Sequence, residues 1–190
     1  VGAGPAGLAF ATEAAQRGLD VTLFDAATEI GGQFNVAKQV PGKEEFYETL
    51  RYFGERLKQT GVTVKLGQRV SADDLAQAGF TQVVLATGIS PRLPEIEGIR
   101  HPKVLGYLDV LRDKKPVGKT VAVIGAGGIG FDVSEYLLHE GQSASLNKAK
   151  FFAEWGVDTT GGARGGLQSA HIGNVPRKIY LLQRKASKVG

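Results

Sequence analysis

The sequence predicts an α/β fold on a parallel sheet, built from two successive βαβ starts. Three observations carry this. Short apolar, strand-like runs alternate with helix-like runs along the chain, the pattern of a parallel sheet with crossover helices. A Gly-x-Gly-x-x-Gly turn stands at Gly2, Gly4 and Gly7. A second glycine turn, Gly125 to Gly130, follows the apolar run Val121-Ala122-Val123-Ile124. The 190 residues are 42% hydrophobic and 22% charged, enough apolar material for a sizeable core.

The elements follow in order. Ala6 to Arg17, rich in Ala and Leu, reads as a helix ended by Gly18. Val21 to Phe24 is a short apolar strand. Glu44 to Gln59 places Phe46, Leu50, Phe53 and Leu57 at three- and four-residue steps, which predicts an amphipathic helix. Val62 to Leu66 reads as a strand, Ala72 to Gln77 as a short helix and Gln82 to Ala86 as a further strand. Ser90 to Pro102, with Pro91, Pro94, Gly98 and Pro102, is a connector. Tyr107 to Arg112 is a short helix, Thr120 to Ile124 a strand, Gly130 to His139 a helix and Lys178 to Gln183 a strand. Between the last two runs a Gly- and Ser-rich excursion, 142–176, holds one predicted helix, Ala149 to Trp155. It is longer than an ordinary helix-to-strand link and is read as functional, as an interface or as mobile. The domain division expected from the connector is 1–112 and 113–190.

Only Val1 stands where a buried strand normally precedes the first glycine turn, so the fold is expected to be truncated at both ends. Composition narrows the function. The formal net charge is +4, with the charges interspersed apart from a short basic end at Arg184, Lys185 and Lys188. No basic stripe with interleaved aromatics marks a nucleic-acid partner. There is no cysteine, so disulfides, a redox dithiol and cysteine-held iron–sulfur clusters are not expected within these residues. The three histidines have no metal-ligand spacing, and no metal site is predicted. No apolar run is long enough for a membrane span, and a cytoplasmic protein is expected.

The first glycine turn makes specific demands. Gly2 permits the tight turn, Gly4 lets backbone approach a pyrophosphate and Gly7 lets the helix pack closely on the sheet. Pro5 falls where a missing N–H costs little. The helix N-terminus offers free N–H groups to phosphates. Asp25, ending the next strand, is placed to accept hydrogen bonds from ribose hydroxyls. Gly31-Gly32-Gln33 resembles the second glycine pair of flavoproteins with two dinucleotide-binding domains. Thr81 to Gly88, with Ala86-Thr87-Gly88, resembles the ATG strand of the same group. Together they favour FAD at this turn.

At the second turn, Gly125, Gly127, Gly128, Ile129 and Gly130 follow a strand and open a helix, the context a dinucleotide fingerprint requires. The next strand ends in Leu181-Leu182-Gln183 and then Arg184-Lys185. A carboxylate suited to a free ribose 2′-hydroxyl is missing there, and two cations suited to a 2′-phosphate take its place. NADPH is the expected nucleotide. The fold class is therefore a Rossmann-like FAD/NAD(P)-binding fold with two dinucleotide-binding βαβ units: a partial FAD-binding domain, 1–112, and a partial NADPH-binding domain, 113–190.

Further runs carry a more specific resemblance: Glu29 to Asn35, Pro41 to Tyr52, Gly127 to Asp132, Glu154-Trp155-Gly156 and Leu182 to Lys188. Over nearly its whole length the chain resembles the bacterial NADPH-dependent 2,4-dienoyl-CoA reductases, iron–sulfur flavoenzymes with an old-yellow-enzyme-like barrel. The resemblance implies a longer parent chain, in which a barrel with FMN and a four-iron cluster precedes the FAD and NADPH region and reduces the dienoyl-CoA of fatty-acid β-oxidation. It also implies FAD contacts at Ala6, Asp25, Gln33, Lys43 and Val70, beside the glycines and the ATG strand. No residue of this chain is assigned as the acid that protonates the substrate. The isolated segment is expected to hold FAD poorly.

The alternatives are an FAD/NAD(P) module of another old-yellow-enzyme-like oxidoreductase, of the enoate reductase or amine dehydrogenase type, an amidotransferase electron-input subunit, and a nucleotide-sensing module without turnover.

Overall fold

A computed structural model describes residues 1–171 and 173–186. Ser187 and Lys188, which end one of the resembling runs, lie outside the described residues. The chain forms two compact units, one of residues 1–38 and 45–104, the other of 39–44 and 105–190.

In the first unit, Val1–Ala3 runs beside β1 (Thr22–Phe24) and leads into α1 (Pro5–Gln16). The Gly2 N–H donates to the Phe24 carbonyl. After β1 come α2 (Phe34–Ala37), α3 (Phe46–Gln59), β2 (Thr63–Lys65) and α4 (Ala72–Gln77). β1 and β2 are parallel, with Thr22 opposite Thr63 and Phe24 opposite Lys65. The core gathers Ala3, Leu8, Ala11, Leu23, Leu57 and Val62, with Ile30, Phe53 and Leu66 against it. The three- and four-step periodicity of α3 is thus realised: Leu57 is buried and Phe53 half-buried, while Glu48, Arg51, Glu55 and Lys58 face solvent. α4 is closed at its start by Ser71, whose hydroxyl accepts the Asp74 N–H while the Asp74 carboxylate accepts the Ser71 N–H, a reciprocal cap.

The second unit contains α5 (Tyr107–Leu111), β3 (Thr120–Ile124), α6 (Gly128–Leu138), α7 (Lys148–Glu154) and β4 (Lys178–Leu182). β3 and β4 are parallel, with Thr120 opposite Lys178 and Ile124 opposite Leu182. α6 buries Gly130, Val133, Ser134 and Leu137. At its far end an Arg177 guanidinium N–H donates to the Leu137 carbonyl, one of the acceptors a helix leaves unpaired at its C-terminus.

Four differences from the sequence reading have physical causes. The segment 82–86 forms no regular strand, and it meets Val1 through the Val1 ammonium donating to the Val84 carbonyl and the Ala86 N–H donating to the Val1 carbonyl. α5 goes with the second unit, so the division falls at 104/105, because Val110 and Leu111 are buried there. Segment 39–44, which the expected division places in 1–112, belongs to the second unit although the chain on both sides belongs to the first. Finally, the described residues of the excursion are folded. Ser143 and Asn147 cap a 3-10 turn and α7, and Val157 bridges Leu167 in antiparallel fashion. The Asp158 carboxylate accepts from the Thr160 hydroxyl and from the N–H groups of Thr160 and Ala163.

Candidate functional site

The two glycine turns fold alike within their units. Gly2 and Gly125 both take positive φ, 106° and 116°, which favours glycine. The N–H of each is held by the neighbouring strand: Gly2 by the Phe24 carbonyl at 2.7 Å, Gly125 by the Leu182 carbonyl at 2.8 Å. A methyl group on Gly7 would overlap the Gly2 carbonyl oxygen, and one on Gly130 would overlap the Gly125 carbonyl oxygen. In both turns the last glycine is therefore required by the close approach of helix to turn. The middle residues do something else. Nothing lies within 4 Å of a Cβ built on Gly127 or Gly128, and only the Gly32 Cα lies within 4 Å of one built on Gly4. These faces are open, as backbone must be where a ligand's phosphates approach it.

Each turn leads into a helix N-terminus. Gly4 caps α1 with Pro5 as its first residue, and Gly127 caps α6. The first N–H groups of a helix have no partner within it and stand at the positive end of its dipole. At α1 these are Ala6 and Gly7, since Pro5 has none; at α6 they are Gly128, Ile129 and Gly130. Neither helix has an acidic side chain among its first residues. Both ends suit an anion.

The remaining predicted residues of the first turn gather in the first unit. The Asp25 carboxylate accepts the Ala3 N–H at 2.6 Å and the Ala27 N–H at 2.7 Å. Two backbone donors fix its orientation at the end of β1 and leave further acceptor capacity for ribose hydroxyls. Gly32 lies against Gly4, and the Gly31 N–H donates to the Ala3 carbonyl at 2.7 Å. The glycine pair is thereby seated on the first turn, with Leu50 of α3 and Asn35 occupying the space a Gly31 side chain would need. Gln33 caps α2 and is exposed. Ala86 is bonded to Val1, and Thr87 and Gly88 follow it exposed, with Gly88 at positive φ. Val70 is half-buried in the loop between β2 and α4.

Lys43 is placed differently. It lies in the second unit, where its ammonium meets both carboxylate oxygens of Asp132, at 2.7 and 2.6 Å. Asp132 carried no signal in the sequence beyond its place in a resembling run. Arg184 and Lys185 are exposed and follow β4 directly beyond the Leu182–Gly125 bond, which brings this stretch of chain out at the second turn. Among the described residues, no cluster of three His, Asp or Glu side chains could hold a metal ion, and no helix is long and apolar enough to cross a membrane.

Comparison with known proteins agrees with the fold. The family described as pyridine nucleotide-disulphide oxidoreductase matches residues 1–153. Bilirubin reductase of Mediterraneibacter gnavus is 33% identical over 77% of the chain and 23% of its own length. Cinnamate reductase of Clostridium sporogenes is 36% identical over 77% of the chain and 22% of its own length. The structure of a 2-naphthoyl-CoA reductase complex superposes with a TM-score of 0.67 at 35% identity, over 71% of this chain and 20% of that one. The chain thus spans about a fifth of the length of these relatives. The Rossmann-like FAD/NAD(P) fold read from the sequence is the fold the chain has.

Proposed function

The chain belongs to the pyridine nucleotide-disulphide oxidoreductase family, and from that premise we propose that it is the electron-input segment of an NADPH-dependent 2,4-dienoyl-CoA reductase. FAD occupies the first turn and NADPH the second. The observation that carries this reading is the doubled cradle, Gly7 over Gly2 and Gly130 over Gly125, each opening an anion-accepting helix N-terminus. With no cysteine in the chain, the kinship lies in the two nucleotide folds and not in a redox disulfide.

When bound, NADPH supplies a hydride and FAD accepts it; the residues here bind and orient. Gly4 presents open backbone, and Ala6 and Gly7 their N–H groups, to the FAD pyrophosphate. Asp25 takes the adenosine ribose, and Gly32 and Gln33, with Ala86, Thr87 and Gly88, line the way toward the flavin. Val70 joins these contacts on the strength of the resemblance alone. Gly127, Gly128 and Ile129 receive the NADPH pyrophosphate, and Arg184 and Lys185 its 2′-phosphate. A cation pair with no acid beside it favours the phosphorylated nucleotide.

The acyl-CoA substrate, the FMN and the four-iron cluster belong to other parts of the parent polypeptide, which we place in the cytoplasm. Kinship with a 2-naphthoyl-CoA reductase supports a CoA thioester as substrate. A second reading, the same module in an enoate-reductase-type enzyme, is favoured by the 36% identity to a cinnamate reductase.

Anaerobic turnover of the full-length protein with NADPH separates the two. Loss of the conjugated absorbance of 2,4-dienoyl-CoA supports the first reading. Reduction of free cinnamate with the thioester untouched supports the second, and reduction of neither would remove both.

A further inference from the structure

We infer that Lys43 serves the second nucleotide site, as the counter-charge that keeps Asp132 from repelling the nucleotide's diphosphate. The inference rests on the reading of Gly125–Gly130 as a dinucleotide turn.

Asp132 lies four residues after Gly128 and three after Ile129 on α6, so it stands directly over the helical turn that presents those N–H groups. Helical side chains lean toward the N-terminus, which carries this carboxylate toward the place of the phosphates. Gly130, Val133, Ser134 and Leu137 form the buried face of α6. Asp132 is on another face, and its side chain is 30% exposed. A bare carboxylate in this position suits the helix dipole but opposes the arrival of a diphosphate.

Lys43 cancels it. The ammonium contacts both carboxylate oxygens. It is not an ordinary surface lysine that happens to swing near. Its segment is fixed to the second unit on either side: the Lys114 ammonium donates to the Gln39 side chain at 2.8 Å, the Ser145 hydroxyl donates to Glu44 at 2.7 Å, and Val40 is buried. The lysine therefore reaches α6 with little further loss of chain freedom. A pair this exposed adds little to folding stability. Its effect falls on whatever charge approaches the helix end.

The test is the dissociation constant of NADP⁺, measured by calorimetry on the flavin-loaded full-length protein at low and at high salt. Lys43→Ala leaves Asp132 uncompensated and is expected to weaken binding about fivefold at low salt, the size of a unit charge acting on a diphosphate roughly 8 Å away through water. The loss shrinks at high salt. Asp132→Asn alone binds as well as the unaltered protein or better, and Lys43→Ala/Asp132→Asn returns to the unaltered value. If the pair were only a mechanical tether, all three variants would bind alike and poorly at every salt concentration, and that result overturns the inference. Loss of FAD from Lys43→Ala with NADP⁺ binding unchanged would also overturn it, assigning the lysine to the first site. Absence of NADP⁺ binding in the unaltered protein would overturn the reading of the second turn itself, and the inference with it.

Discussion

At Gly130 the backbone of α6 passes so close to the turn that opens it that a single methyl group would meet the Gly125 carbonyl oxygen. A backbone oxygen cannot rotate aside as a flexible side chain can. Gly130→Ala therefore has to push helix and turn apart, at a cost of about 1–3 kcal/mol. The N–H groups of Gly128 and Ile129 would leave their places at the same time. We expect NADP⁺ binding to fall by more than tenfold while FAD content is unchanged, measured by calorimetry and by flavin released on denaturation. Gly7→Ala should give the reverse pattern, with FAD lost first. Equal loss of both ligands from either variant would contradict the assignment of one nucleotide to each turn. These glycines were legible in the sequence because their spacing records a local steric demand. Asp25 was legible as an acid at the end of the strand that follows the turn. Its capture by the Ala3 and Ala27 N–H groups was not, since one of those donors comes from the segment before α1, 22 residues away. The pairing of Lys43 with Asp132 was hidden for a stronger reason: 89 residues separate the partners, and no local pattern joins them.

Among the elements, α3 shows how a periodic pattern becomes a buried face. Leu57 is 4% exposed, in the core with Leu8, Ala11 and Leu23. Leu57→Ala removes buried methyl groups and leaves a cavity, so unfolding should become easier by about 2–5 kcal/mol. A shifted denaturation midpoint at unchanged slope would confirm it; no shift would mean that α3 does not carry the core. The excursion was legible only in its helix. Its turns depend on side-chain caps, and the 157–167 loop depends on one carboxylate. Asp158 is held down to about 2, first by the Thr160 hydroxyl and then by the Ala163 and Thr160 N–H groups. Because its folded value lies below the ordinary 3.8, the contribution of Asp158 is complete above about pH 4 and is lost as the pH falls through about 2. Trp155, the chain's single tryptophan, is exposed beside this loop. Its emission should hold steady from neutral pH to about 4 and change between there and 2. Asp158→Ala should show the altered emission already at neutral pH. A variant that reproduces the unaltered acid titration would contradict the loop's dependence on this group.

At the scale of the whole molecule, the two glycine turns and the helices they open were legible, because strand, glycine turn and helix recur in sequence. Where the chain divides was less so. α5 joins the second unit through Val110 and Leu111, and segment 39–44 leaves the first unit between Phe34 and Phe46, whose rings stack 4.6 Å apart. Both are consequences of packing between residues distant in sequence. The central claim is that the turn at Gly2 holds FAD and the turn at Gly125 holds NADPH, which reduces it. It is tested most directly by following the visible absorbance of the bound flavin anaerobically while NADPH or NADH is added to the full-length protein, unaltered and as Arg184→Gln/Lys185→Gln. Fast bleaching with NADPH and slow bleaching with NADH are expected. In the variant the rate with NADPH at low nucleotide concentration should fall about tenfold or more, from the loss of two charge-assisted contacts, and the rate with NADH should change little. A flavin that neither nucleotide bleaches, or a variant that keeps the full preference for NADPH, would contradict it.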